Sequence, residues 1–305
     1  MVTSELERKV YIGPAGWDYP DWDGIVYPFP KPRGFDALPM LAAYFNLIEI
    51  NSTFYHVPAP HVCRSWLRRV DRYPDFRFTV KAHQSLTHRV HGAPPPELAP
   101  FAGALEILSD TGRVGAVLLQ FPWSFRDAPE SRAHLSDRVD ALRAFPLAVE
   151  VRHTSWESPD ASAFLNQLGV TVCGVDQPVI GESRPPYLHT PGPAGAYFRL
   201  HGRNYRTWFA RDAGRDARYD YLYSDDELGG WADTIREAAA GTSNVFVVLN
   251  NHFRGQAPAN AFALTAMVLG RTVKAPRRLR DAYPALARWT TPDGFDREPA
   301  PRLFD

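Results

Sequence analysis

Eight short apolar, β-rich runs recur along the chain at spacings too wide for hairpins. They are VYIGPAGW (10–17), LIEINSTFY (47–55), FRFTVKA (76–82), GAVLLQF (115–121), LAVEVRH (147–153), VTVCGVD (170–176), AYFRLHG (196–202) and NVFVVLN (244–250). Most gaps between them carry apolar residues at helical spacing, at 35–46, 60–70, 97–110, 131–145, 160–169, 225–241 and 257–270. Strands that alternate with helices join as parallel βαβ units. Eight such units in about 250 residues predict an α/β chain with a single (β/α)8 TIM barrel over residues 1–273. An open doubly wound sheet is the alternative, but GPAGW (13–17) lacks the G-x-G-x-x-G phosphate turn after the first strand. The stretch QPVIGESRPPYLHTPGPAGA (177–196) holds too much Pro and Gly for a helix, so the connection between strands six and seven is expected to be irregular. Residues 274–305 are Arg- and Pro-rich and are expected to form a C-terminal extension packed on the barrel.

The chain has 45% hydrophobic and 22% charged residues, the balance of a soluble globular protein. Its 34 basic and 34 acidic residues cancel, which excludes a surface built wholly to trap polyanions yet permits a local basic patch. Cys63 and Cys173 are the only cysteines, too few for a disulfide framework. The start lacks the apolar stretch of a signal peptide, and no apolar run is long enough to span a bilayer. A cytoplasmic protein with no membrane partner is the expectation.

Side chains alternate faces along a strand, and here one parity turns polar towards the carboxyl ends. Strand two presents Glu49, Asn51 and Thr53 opposite Ile48 and Ile50; strand three presents Thr79, Lys81 and His83 opposite Phe78 and Val80. Gln120 follows on strand four, and Glu150 and Arg152 on strand five. Asp176 ends strand six, strand seven carries Arg199, His201 and Arg203, and strand eight ends in Asn250. The opposite parity is consistently apolar and suits contact with helices. Ions at a barrel centre need mutual pairing, a ligand or a metal, so this parity predicts an interior site. The competing view is helix capping and ion pairing near loop ends.

The segments GPAGW (13–17), FNLIEINSTFY (45–55), FTVKAHQSLTH (78–88), LLQFPWSF (118–125), AVEVRHTSW (148–156), YFRLHGR (197–203) and VLNNH (248–252) resemble the YecE-like family, domain of unknown function 72. QAPANA (256–261) opens the last helix as that pattern leads one to expect. The first motif departs from it, with Pro14 and Ala15 where a Thr or Cys followed by Ser is common. The resemblance covers nearly the whole barrel. It implies a TIM-barrel fold and brings no assigned reaction.

Two chemistries fit the polar parity. Glu150, Asp176 and His201 end successive strands and are the candidate ligands for a divalent metal, although nothing in the sequence requires a cofactor. The set is similar to those of sugar isomerase and endonuclease IV-like barrels, except that strand eight offers Asn250 and Asn251 in place of an acid. Alternatively Lys81, Arg152, Arg199 and Arg203 form an anion site, with Glu49 or Glu150 as general base and His201 as general acid or base. A network of internal salt bridges is the weighed alternative to either. Trp17, Trp22, Trp123, Trp156 and Trp208 follow strands and suit stacking on a ligand, with Tyr55 and His56 at the mouth; Trp66 and Trp231 are assigned to the core, and His61, His134 and His252 to packing or surface. The segment 201–223 interleaves Arg203, Arg206, Arg211, Arg215 and Arg218 with tyrosines and aspartates, and reads as a lid or a nucleic-acid contact. No nucleophile elbow, H-E-x-x-H or paired C-x-x-C is present. The leading expectation is an enzyme, a hydrolase or isomerase, acting on a sugar phosphate or nucleic-acid phosphodiester by acid–base chemistry. The other is a non-catalytic nucleic-acid-binding protein. Nothing in the sequence names an oligomeric partner.

Overall fold

Nine short strands carry the predicted apolar runs: β1 (Val10–Pro14), β2 (Leu47–Ile50), β3 (Arg77–Lys81), β4 (Val114–Gln120), β5 (Leu147–Glu150), β6 (Thr171–Val172), β7 (Gly174–Asp176), β8 (Ala196–Leu200) and β9 (Val245–Leu249). The structure is a computed structural model that describes residues 5–89, 94–186, 189–208 and 215–293. The strands form two parallel sheets, one of five in the order β2-β3-β4-β5-β6 and one of four in the order β1-β9-β8-β7. The molecule is therefore an α/β protein with parallel sheets.

The two sheets meet at two places. β6 and β7 are consecutive in the chain, separated by Cys173, whose N–H still donates to Val149 O at 2.9 Å. At the other seam Ala15 and Glu49 form a single parallel bridge, and Gly16 N–H donates to Glu49 O at 2.9 Å. Below that bridge a side chain stands in for the backbone ladder: Asn46 accepts from Ile12 N–H at 3.0 Å and donates to Val10 O at 2.9 Å. Gly13 makes this approach sterically available, because a Cβ there would lie 1.7 Å from Leu47 O.

Helices follow the strands: α1 (Glu5–Lys9) precedes β1, and α2 (Ala37–Ala42), α3 (Pro60–Arg69), α4 (Gln84–Thr87), α5 (Leu98–Ser109), α6 (Pro129–Ala141), α7 (Pro159–Leu168), α8 (Asp225–Gly241) and α9 (Gln256–Leu269) come after it. Their ends obey local chemistry. Ser158 caps α7 and Gly169 terminates it in the left-handed conformation, while Ser224 and Glu227 form a reciprocal capping box on α8.

Strand parity separates two apolar clusters. Ile48, Phe78, Val80, Val117, Leu119, Val149, Phe198 and Val247 belong to the larger one, which takes in the buried faces of the helices. Tyr11, Leu47, Ala116, Leu118, Ala148, Cys173, Tyr197 and Phe246 form a smaller one on the opposite strand face. The smaller cluster draws on both sheets, so the sheets face each other across it.

Some boundaries differ from the periodicity. β2 stops at Ile50 because Ser52–Phe54 turns into a 3₁₀ helix, and the Thr53 hydroxyl reaches Ile50 O and Lys81 O at 2.9 and 2.6 Å. Strict alternation therefore ends before Asn51. The connection 177–196 has no helix among its described residues and is tied down by bridges of Ser183 to His153 and Thr190 to Val172. After α9, β10 (Val273–Ala275) pairs with β11 (Thr290–Pro292) around α10 (Arg277–Ala282), with Leu279 and Leu286 buried in the larger cluster. The rest of the expected extension, 294–305, lies outside the described residues. Among the described residues no helix is long and apolar enough to cross a membrane.

Candidate active site

Alternation along β2, β5 and β8 brings Glu49, Glu150, Arg152, Arg199 and His201 into one buried network. Arg199 is its hub. Its Nη2 and Nε donate to the two oxygens of Glu49 at 2.6 and 3.1 Å, and its Nη1 donates to Glu150 Oε2 at 2.6 Å. Tyr197 Oη donates to Glu49 Oε2 at 2.9 Å, and Arg152 Nε donates to Glu150 Oε1 at 2.7 Å. Two guanidinium groups thus balance two carboxylates, and the arrangement links both sheets. Burial by itself would raise the pKa of Glu150, but Arg152 and Arg199 outweigh it and hold the group well below the usual carboxylate range. Burial likewise opposes the charge on Arg199, yet Glu49 and Glu150 hold its pKa well above normal.

His201 is buried in the same network. Asn250 Nδ2 donates to its Nδ1 at 2.9 Å, and its Nε2 lies 3.3 Å from Glu150 Oε1 and 3.2 Å from Arg152 Nη2. Burial pushes its pKa down to about 3, against Glu150 and with help from Arg199. The ring is therefore neutral at physiological pH and acts as a fixed hydrogen-bonding group.

Above this network opens a cleft of about 520 Å³. Gly16, at φ +79°, turns the chain out of the seam after β1 so that Trp17 and Tyr19 wall one side. Tyr19 Oη donates to Ala15 O at 2.7 Å, and the ring stacks on His252 at 4.6 Å. Trp17 packs edge-on against Trp66 at 5.6 Å. On the floor, Lys81 Nζ lies 4.0 Å from the centroid of the Phe54 ring, with no ion-pair partner among the described residues. Its burial, aided by Arg199 and Arg152 and opposed by Glu49 and Glu150, lowers its pKa to about 7. Asn51 and Asn250 complete the floor, the Asn51 amide donating to Asn250 Oδ1 at 3.4 Å. Asn51 Oδ1 is buried and has no hydrogen-bond partner among the described residues.

The predicted residues thus fall into three groups. Trp17, Asn51, Tyr55, Lys81 and Asn250 line the cleft. Glu49, Glu150, Arg152, Arg199 and His201 lie in the ion network, with Asn250 joining the two groups. Asp176, Arg203, Gln120, Trp156 and Asn251 line neither. Asp176 shares the parity of Val172 and turns to α8, where it accepts from Trp231 Nε1 at 2.7 Å and from the Arg203 fork at 2.8 Å on each oxygen. Gln120 Nε2 donates to Phe121 O. Trp156 is core, stacked on Phe125 at 5.4 Å, and Asn251 ties Tyr221 O to Asn260. Among the described residues no three His, Cys, Asp or Glu side chains are gathered as metal ligands. The metal candidates Glu150, Asp176 and His201 are split between the two faces of the sheet.

Several cleft residues were not expected. Trp66, assigned to the core, and His252, assigned to packing, both line it, as do Phe54, Tyr19 and Tyr219. Trp22 is instead fully buried, donating to His252 O at 2.7 Å. Arg206 and Arg218 of the 201–223 segment are exposed. Arg211 lies outside the described residues, as does the side chain of Arg215.

A family model described as a protein of unknown function, DUF72, matches residues 11–283. The chain belongs to the DUF72 family. The DUF72 match takes in every cleft residue and the whole ion network. UPF0759 protein YunF of Bacillus subtilis is 30% identical over 284 residues, 88% of this chain and 99% of that one. UPF0759 protein YecE of Escherichia coli K12 is 29% identical over 184 residues, 60% of this chain and 62% of its own. A solved DUF72 structure from Thermotoga maritima, 31% identical, matches with a TM-score of 0.73 over 86% of this chain and 99% of that one. One from Enterococcus faecalis, 22% identical, matches with a TM-score of 0.73 over 85% and 95%, which speaks to the fold alone.

Proposed function

We propose that this DUF72 protein is an enzyme acting on a small, polar, anionic molecule such as a sugar phosphate, bound in the cleft and transformed by proton transfer at Lys81. One observation carries the reading. Among the described residues that line the cleft, Lys81 is the only lysine or arginine, and no described carboxylate lies within ion-pair distance of it. A pKa of about 7 makes both of its protonation states available at neutral pH, as an acid–base catalyst needs. The cleft has the volume of a small-molecule site. Its flat rings offer stacking surfaces and its two amides offer polar contacts. The Glu49–Arg199–Glu150 network beneath is rigid support for that floor.

The strands are read as closing into one (β/α)8 barrel, with β6 and β7 as a single strand interrupted at Cys173 and the Ala15–Glu49 bridge as the closing contact. The cleft then occupies the carboxyl-end face on which barrel enzymes work. Cys63 and Cys173, both buried thiols, suit a reducing cytoplasm.

A thermal-shift screen of phosphorylated and carboxylated sugars against their neutral counterparts tests the reading. Anionic compounds should raise the melting temperature of the full chain, and Lys81→Met should remove that shift while keeping the native circular dichroism. Turnover of a ligand so found should fall about 10²- to 10⁴-fold in Lys81→Met. Undiminished turnover in that variant rejects the role of Lys81. Binding of oligonucleotides alone, weakening steeply with salt, would replace the enzyme with a nucleic-acid-binding module.

A further inference from the structure

Four of the 34 basic side chains are lysines, and their surroundings differ sharply. Lys9 pairs with Glu5 at 2.8 Å, Lys31 pairs with Asp23 at 2.7 Å, and Lys274 is exposed. Lys81 alone of the four faces the cleft. In the ion network beneath the cleft the basic groups are instead Arg152 and Arg199, and arginine keeps its charge and cannot act as a nucleophile under physiological conditions. An amine at this one place gives the site a nitrogen that can lose its proton.

We infer that Lys81 is a covalent nucleophile that forms an imine with a hydroxy-aldehyde or hydroxy-ketone substrate. The inference rests on the reading of the cleft as a small-molecule site and names the substrate class it takes. Three features besides the amine point this way. Phe54 lies against Nζ, and Trp17 and Trp66 line the same cleft, so the amine has an apolar ring beside it in a pocket partly walled by aromatics. Burial first, then Arg199 and Arg152 against Glu49 and Glu150, disfavour the ammonium form, and desolvation with neighbouring cations is a means of activating a lysine, to a pKa of about 7 here. Asn51 Oδ1, buried without a partner among the described residues, is an acceptor that a substrate hydroxyl can satisfy.

The step balances without a further reagent. The Lys81 ammonium gives up one proton, and the nitrogen lone pair adds to the carbonyl carbon as the C=O π pair moves to oxygen. That oxygen takes a proton to give a carbinolamine. The nitrogen gives up a second proton, the hydroxyl takes one and leaves as water, and the nitrogen lone pair forms the C=N bond. Ammonium plus carbonyl has become iminium plus water, with one positive charge before and after. Glu49 and Glu150, whose charges favour a cation at Nζ, stabilise that iminium.

The test incubates the full chain with dihydroxyacetone phosphate and sodium borohydride at neutral pH, followed by intact mass and peptide mapping. One reduced adduct per chain is expected at Lys81, roughly tenfold or more over Lys9, Lys31 and Lys274, which lie outside the cleft. Omitting borohydride should leave the mass unchanged, and Lys81→Arg should abolish the adduct. If the probe shifts the melting temperature through Lys81 yet leaves no adduct there, the imine is overturned and the cleft reading survives. If it neither binds nor labels, the same experiment with glyceraldehyde and glycolaldehyde decides. Absence of any Lys81 adduct across all three overturns the inference, and melting temperatures indifferent to Lys81→Met across the whole sugar screen overturn the site reading separately.

Discussion

A guanidinium and an amine stand in opposite settings here. Arg199 is clamped by two carboxylates and fully buried. Arg199→Leu strands Glu49 and Glu150 without their partner and should destabilise the chain by about 3–5 kcal/mol, read from urea unfolding at neutral pH. Adding Glu49→Gln and Glu150→Gln to that variant should recover part of the loss. His201 sets an acid limit. Its folded pKa of about 3 lies below the ordinary 6.5, so between those values the unfolded chain takes a proton that the folded chain refuses. Stability should fall as pH drops from 6.5 towards 3, with Glu150 adding its own loss below the ordinary carboxylate pKa of 4.5. The groups facing the imidazole are Glu150, Arg152, Arg199, Asn250 and the rings of Trp208 and Tyr219, and His201→Gln should flatten the stability curve between about pH 6 and pH 4.5. Simple alternation was enough to gather Glu49, Glu150, Arg199 and His201. It could not place Asp176, because in VTVCGVD both parities are apolar and neither announces the helix side. Trp66 was hidden for another reason: a helical apolar stripe looks the same whether it ends in the core or at a cleft wall.

Among the elements, helices were legible almost to the residue where caps mark their ends. The α8 capping box and the Ser158–Gly169 frame of α7 are local chemistry, written in adjacent residues. Ser224→Ala should cost about 1 kcal/mol in urea unfolding, because Ser224 is exposed and its loss removes only the cap. Strand ends were less legible, since the polar residues after Ile50 and Glu150 continue the alternation on paper while the backbone has already turned. Gly13 is a constraint of another kind. A methyl group there collides with Leu47 backbone, not with a side chain that could move aside. Gly13→Ala should therefore destabilise by about 3 kcal/mol or more, or leave the chain insoluble.

For the molecule as a whole, the rhythm of strands and helices was enough to announce an α/β fold with parallel sheets. Where the two sheets join could not be read, because the join uses Asn46, a side chain that sequence pattern treats as a loop residue. That join has a consequence for how the molecule breathes. One backbone bridge and one asparagine hold β1 to β2, against full ladders between most other neighbouring strands. The amides of Ile12 and Gly16 should exchange with solvent deuterium faster than those of β9, whose five residues sit between two partners. The cleft straddles this same line, with Gly16 and Trp17 on one bank and Asn51 and Ser52 on the other. A molecule that touches both banks ties them together, so the slowing of exchange at Ile12 and Gly16 becomes a gauge of occupancy that needs no knowledge of the reaction.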